Sequence, residues 1–211
     1  MVNFRIISKI IGSLLFIEGQ FMGWCALMSF LYHEDDLMAF LISLLITFGS
    51  GFFFLYLGRN ADNTLSRRDA YLVVTAAWVV FSFFGMFPFL IHGSITNITD
   101  AFFESTSGFT TTGASILDDV ETLPHAILFW RSLTQWIGGL GIVFFTIAIL
   151  PSLVGGSVRV FAAEATGPMR SKMHPRLSTS AKWIWSIYLL LTIACGLSFW
   201  LAGMEWFDAT N

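Results

Sequence analysis

The sequence predicts an all-α, polytopic membrane protein: two leading transmembrane helices, then units in which a short polar helix and loop sit between two spans. Three observations carry this. Apolar residues make up 55% of the 211 positions and charged residues only 12%, about half the charged share of an ordinary soluble domain. Several apolar runs reach the roughly 20 residues that a bilayer-crossing helix needs. Between two of them lies Thr99 to Ala114, a stretch too short and too polar to cross.

Five spans follow in order. The first covers Phe4–Leu31. It is long for the apolar part of a signal peptide and has no small-residue cleavage pattern, so no cleavable leader is expected. Glu18 lies in its middle; an intramembrane acid is a functional candidate by default, with snorkelling or helix pairing as the plainer alternatives. The second span covers Leu37–Leu57 and the third Tyr71–Ile91, where Pro88 is expected to bend or end the helix. The fourth covers Ile127–Leu150 and contains Gly138-Gly139-Leu140-Gly141, a small-residue patch suited to close helix packing or to a kink. The fifth covers Trp183–Met204. Cys25 and Cys195 both fall inside spans without a metal-ligand neighbour, and read as small buried hydrophobes.

Charge orients these spans. Of eleven Lys and Arg residues, all but Arg131 lie at the start of the first span (Arg5, Lys9) or between spans two and three or four and five. The positive-inside rule makes those segments, and the N-terminus, cytoplasmic. The opposite loops carry Glu34, Asp35, Asp36, Asp100, Asp118, Asp119, Glu121, Glu205 and Asp208. The polar loop therefore opens outward at an acidic mouth that concentrates cations, although solvation alone accounts for any single acidic residue.

The short helix is expected over Thr99–Phe109, about 16 Å long, or half the hydrocarbon core. Thr99 or Asp100 can cap its start, and Gly108 can end it in left-handed conformation. The Asn97-Ile98-Thr99 sequon reads as a chance match, because it opens this helix. Entering from outside, the helix points its partly negative C-terminus toward the membrane centre. Thr110, Thr111 and Thr112 are β-branched and favour extended backbone, which can aim successive carbonyls at a pore axis. Gly113 allows positive φ or close backbone approach. A half-length helix followed by a Thr/Gly loop is the form of an ion-selectivity filter lined by carbonyls. Arg131 can brace the loop by pairing with Glu104 or with loop carbonyls. Phe207-Asp208-Ala209-Thr210 follows the fifth span as Asp100-Ala101 follows the third, a weak internal repeat.

The same residues carry a family resemblance. Thr99 to Ser105 with Ser107 to Ala114, Leu123 to Phe129 with Arg131, Gln135 to Ile142, and Ala148 to Pro151 resemble the first pore loop and following helix of the TrkH-type potassium transporters, in the Trk/Ktr/HKT superfamily. The resemblance covers the whole chain. It implies span–pore helix–span units like those of potassium channels, four to a pore, behind two leading helices. On that basis residues 1–69 form an N-terminal membrane hairpin and 70–158 the first unit. Residues 159–211 form a cytoplasmic connection and the first span of a second unit. The resemblance implies potassium as the transported ion, bound by the Thr111 and Thr112 carbonyls, with Thr110 and Gly113 supporting the filter. It further implies a homodimer in the bacterial inner membrane and a cytoplasmic TrkA-type nucleotide-binding regulatory subunit. One complete unit among four implies a fragment of a longer protein, with three pore units beyond Asn211, or a truncated product.

Two other classes are open to these residues. An intramembrane serine protease drawing on Ser105, Ser107 and His125 lacks the Gly-x-Ser-Gly setting, because Ser105 stands at the first Gly position. A non-conducting membrane assembly subunit is the remaining alternative. No enzyme activity is expected.

Overall fold

A computed structural model describes residues 2–61, 67–153 and 177–211 of the chain. The described residues form helices throughout: α1 (Phe4–Tyr32), α2 (Leu37–Gly58), α3 (Arg67–Gly85), α4 (Phe87–His92), α5 (Ile98–Phe109), α6 (His125–Leu153), α7 (Leu177–Leu201) and α8 (Trp206–Thr210). Among them, Phe4–Tyr32, Leu37–Gly58, Arg68–His92 and Lys182–Leu201 are long and apolar enough to cross a membrane. The expected fourth span lies within α6, which is 29 residues long.

The chain divides into two compact units, Met1–Gly139 and Leu140–Asn211. The first holds α1 to α5 and the beginning of α6. Its α1 and α2 form a hairpin. Asn3 caps α1 by accepting from the Ile6 amide, and its own amide donates 2.9 Å to buried Asp69 at the start of α3. The other end of α1 closes on His33 in left-handed conformation (φ 57°). There the Ser29 hydroxyl donates to the carboxylate of Asp36, which precedes α2. The hairpin helices touch at small residues: a Cβ on Gly12 would stand 2.8 Å from the Gly51 carbonyl oxygen.

The expected third span is two helices. α3 ends at Gly85 and α4 begins at Phe87 with Pro88 in its first turn. Pro88 has no amide hydrogen, and its ring conflicts with the carbonyl four residues earlier, so a straight helix cannot continue. The indole Nε1 of Trp130 donates 2.9 Å to the Gly85 carbonyl at this break. Met22, Cys25, Phe40, Met86, Phe89, Ala101, Phe109, Ile127 and Trp130 make one core that joins α1, α2, α4, α5 and α6. Cys25 is buried there as expected, whereas Cys195 is exposed on α7.

The second unit holds the rest of α6, then α7 and α8. α7 ends three residues earlier than the expected Met204, because Gly203 turns the chain at φ 101°. α8 then folds back on α7, with Trp200 and Trp206 edge to face at 6.0 Å and Ala209 buried. α8 opens as α5 does. Each follows an extended residue (Asn97, φ −89°, ψ 128°; Glu205, φ −60°, ψ 151°), and each has Asp-Ala at its third and fourth positions with the Ala buried. The basic residues Arg159, Arg170, Lys172 and Arg176 of the expected connection lie outside the described residues.

Candidate functional site

α5 is twelve residues long, about 18 Å. Its N-cap is Asn97, whose side chain accepts 2.9 Å from the Thr99 amide. The cap is thus two residues before Thr99 and three before Asp100, the caps expected, because a side chain caps from the last non-helical residue. The far end of α5 reaches well along its neighbours. Phe109 is fully buried, stacked on Phe81 of α3 at 5.4 Å and edge to face with Trp130 of α6 at 6.3 Å. A Cβ on Gly138 would lie 2.1 Å from the Phe109 carbonyl oxygen, and one on Gly108 would lie 2.2 Å from Thr134 Oγ1. Gly138 is thirteen positions into α6, about 20 Å from its start at 1.5 Å per residue. The short helix therefore ends partway down the bundle.

The loop that leaves this end differs from the extended run expected at Thr110–Thr112. Thr110 sits at φ −83°, ψ 2°, and Thr111 at φ 55°. The Thr111 amide donates to the Gly108 carbonyl and the Thr112 amide to the Ser107 carbonyl, both 2.9 Å. This paired closure is the Schellman form of helix end. Thr111, not Gly108, occupies its left-handed position; Gly108 is an ordinary helical residue that admits α6. The competition is between β-branched preference for extended backbone and the unpaired carbonyls of a helix terminus, and the carbonyls win. Holding a β-branched residue there costs about 1–2 kcal/mol. The Thr110 and Thr112 hydroxyls bridge at 2.8 Å across it.

Gly113 follows at φ 75°, and a Cβ there would meet nothing within 4 Å. Of the two roles foreseen for it, positive φ holds and close approach does not within this chain. Thr110 to Ala114 are all exposed. Among the described residues, no hydrogen bond is donated to the carbonyls of Thr111, Thr112 or Gly113, whereas the Ala114 carbonyl accepts from Ser107 Oγ. The loop thus offers free carbonyls on an exposed surface, the acceptor chemistry that replaces water around a cation.

A buried carboxylate holds the loop in place. Glu104 of α5 accepts from Arg131 Nε at 2.7 Å, from Ser115 Oγ at 3.0 and 3.2 Å, and from the Ile116 amide at 3.0 Å. Arg131 Nη2 also donates 3.3 Å to Ser115 Oγ. The pair is largely shielded, with side-chain exposures of 4% for Glu104 and 18% for Arg131. Arg131 therefore takes the carboxylate alternative foreseen for it. The segment after Gly113 is clamped to α5 and α6 at Ser115 and Ile116, four and five residues beyond the strained Thr111.

Sequence reading missed Ser115 and the Ile116 amide, which carry no spacing signal. It also missed the role of Glu34, counted only as an acidic loop residue. Glu34 accepts from the His125 amide at 2.9 Å and meets His125 Nδ1 at 2.7 Å, while Tyr32 stacks on the imidazole with centroids 4.2 Å apart. That cluster fastens the start of α6 to the α1–α2 turn. His125 is thus engaged with Glu34 and Tyr32, while Ser107 Oγ donates to the Ala114 carbonyl and Ser105 Oγ has no partner, so no hydrogen bond joins the three in a protease arrangement among the described residues.

Comparison with known proteins places this geometry. The family model described as TrkH, cation transport protein, matches residues 36–209. The Trk system potassium uptake protein TrkH of Escherichia coli (strain K12) is 40% identical over 210 residues, 99% of this chain and 44% of that protein. TrkH of Vibrio parahaemolyticus is 41% identical over 212 residues, again 44% of its length. TrkG of Escherichia coli (strain K12) is 36% identical over 208 residues. The crystal structure of the potassium transporter TrkH from Vibrio parahaemolyticus superimposes with a TM-score of 0.84 at 39% identity, covering 99% of this chain and 42% of that one. The chain therefore spans somewhat under half the length of these relatives. It is a multi-pass, all-helical membrane protein, and it belongs to the TrkH family of cation transport proteins, which are transporters and not enzymes.

Proposed function

We propose that this chain forms the N-terminal part of the pore-forming subunit of a potassium uptake system, and that Thr111 and Thr112 bind potassium through their backbone carbonyls. Thr110 and Gly113 support that loop. The single observation carrying the reading is a loop of free, exposed carbonyls at the end of a helix that stops partway down the bundle, braced from behind by Glu104 and Arg131. The potassium uptake proteins among its relatives supply the ion. In this reading residues 1–69 form the leading hairpin, 70–158 one pore unit and 159–211 the beginning of the next. The matched openings of α5 and α8 support the repeat. Three further units, a homodimeric partner and a cytoplasmic TrkA-type regulatory subunit complete the system in the bacterial inner membrane, with the N-terminus inside and the filter loop outside.

The test is rubidium and potassium uptake by the full-length protein in a cell deficient in potassium uptake, with sodium as competitor. Gly113→Ser forces a side chain onto a positive φ and into the ion path, and lowers the preference for potassium over sodium. Gly113→Asp adds charge and bulk and abolishes or grossly alters flux. Thr112→Val, which keeps the carbonyl, is milder. Unaltered selectivity in both Gly113 variants would remove the loop from the ion path, and no flux from the intact wild-type protein would favour a non-conducting assembly subunit.

A further inference from the structure

Behind the braced loop lies a second polar site that the filter reading does not use. Glu18 stands at the middle of α1, fourteen residues from either end of that helix, and is 1% exposed. Neither of its carboxylate oxygens has a hydrogen-bond partner among the described residues. Ser105 of α5 is fully buried, and its hydroxyl likewise has none. The two converge on one point. A Cβ on Gly85, at the break between α3 and α4, would lie 2.7 Å from Ser105 Oγ and 3.3 Å from Glu18 Oε1. The Phe109 ring would lie 2.6 Å from the same atom, so only a glycine fits where α1, α3 and α5 meet, and the acid and the hydroxyl both face its backbone.

The chemistry of such a pair is restrictive. A lone carboxylate in an apolar interior loses its hydration without a compensating charge. The two ion pairs among the described residues, Arg131 with Glu104 and His125 with Glu34, both lie elsewhere. A carboxylic acid, unlike a carboxylate, has an O–H to donate, and a serine hydroxyl accepts as well as donates. We propose that Glu18 and Ser105 form a proton-carrying hydrogen-bond site beside Gly85, closed directly or through one water, in which neutral Glu18 positions the pore helix against the leading hairpin. Glu18 is then a positioning residue. It sits one helical turn behind the clamped end of α5, because Ser105 adjoins Glu104 and precedes Phe109 by four. The bearing of this site on selectivity rests on the proposed filter; the protonated state of Glu18 does not.

Two measurements on the full-length protein separate these. The first is the infrared difference spectrum between wild type and Glu18→Gln in deuterated buffer at neutral pH. A carbonyl band of a neutral carboxyl is expected in wild type, absent in the variant and displaced in Ser105→Ala. Absence of that band overturns the proposal whether or not the protein transports potassium. The second is rubidium uptake with sodium competition, normalised to protein in the membrane. Glu18→Gln, whose amide can also donate, keeps potassium preference within about two-fold of wild type. Ser105→Ala and Glu18→Ala each lower it several-fold, and together lower it no further, as expected of partners in one interaction. A Glu18→Gln protein as impaired as Glu18→Ala would show that the charge is required and overturn the neutral acid.

Discussion

Thr111 and Arg131 show how single residues set the loop. Thr111 holds a left-handed backbone that its β-branched side chain disfavours, and it does so because two carbonyls of α5 demand amide donors. The strain sits on the residue proposed to present a carbonyl to the ion, and the Glu104 clamp downstream keeps it from relaxing. Arg131 is the partner that makes the clamp affordable in an apolar setting. Removing one member of a shielded pair strands the other, at about 3–5 kcal/mol, whereas removing both costs less. Arg131→Ala in the full-length protein is therefore expected to lower thermal stability sharply and to let sodium compete. The Glu104→Gln, Arg131→Gln double variant should recover a measurable part of the loss. Thermal unfolding in detergent beside the uptake assay gives the cycle, and strictly additive losses would show that the two do not act as a pair.

Short helices rarely hold their position alone, and α5 is held by close contact with α6. Gly138 receives the Phe109 carbonyl, and Thr134 fills the space beside Gly108. Gly138→Ala drives a methyl into backbone, which cannot swing aside as a side-chain end can. Overpacking of this kind costs about 1–3 kcal/mol, and it displaces the end of α5 where the filter begins. The open surroundings of Gly113 predict the contrast: Gly113→Ala costs only about 1–2 kcal/mol of backbone strain. Potassium preference should therefore fall in both, but membrane yield and melting temperature should fall more in Gly138→Ala. Equal stability of the two would mean that the α5–α6 contact is looser than its geometry.

Across the whole molecule, charge sorting sets the proposed orientation, and the structure improves the probe positions for testing it. Asp36 is fully buried against Ser29, so a cysteine there would report burial and not sidedness. Asp35 and Asp119 are exposed, as is Asn60 beyond the other end of α2. With Cys25 and Cys195 replaced by Ser, cysteines at Asp35 and Asp119 should react with an impermeant thiol reagent on intact cells. One at Asn60 should react only after the membrane is opened. The reverse pattern would invert the topology and turn the filter loop inward.

The sequence by itself determined the helical membrane class, the order of the spans, the short helix and the family. Each follows from local pattern: apolar run length, charge asymmetry, and a polar stretch too short to cross. Its bounds for α1 and α2 agree with the structure to within a residue, because these helices end where apolar character ends. Tertiary structure alone decided the rest. The third span breaks at Pro88, and Trp130, 45 positions from Gly85, donates to the Gly85 carbonyl at the break. The Thr run curls into a helix end instead of extending, since satisfying buried acceptors outweighs a side-chain preference of under a kilocalorie or so. Glu34 with His125 and Glu104 with Ser115 join residues whose separation in the chain carries no period. Such pairs are selected by the need to satisfy polar groups inside an apolar bundle, and that need exists only once the helices have come together.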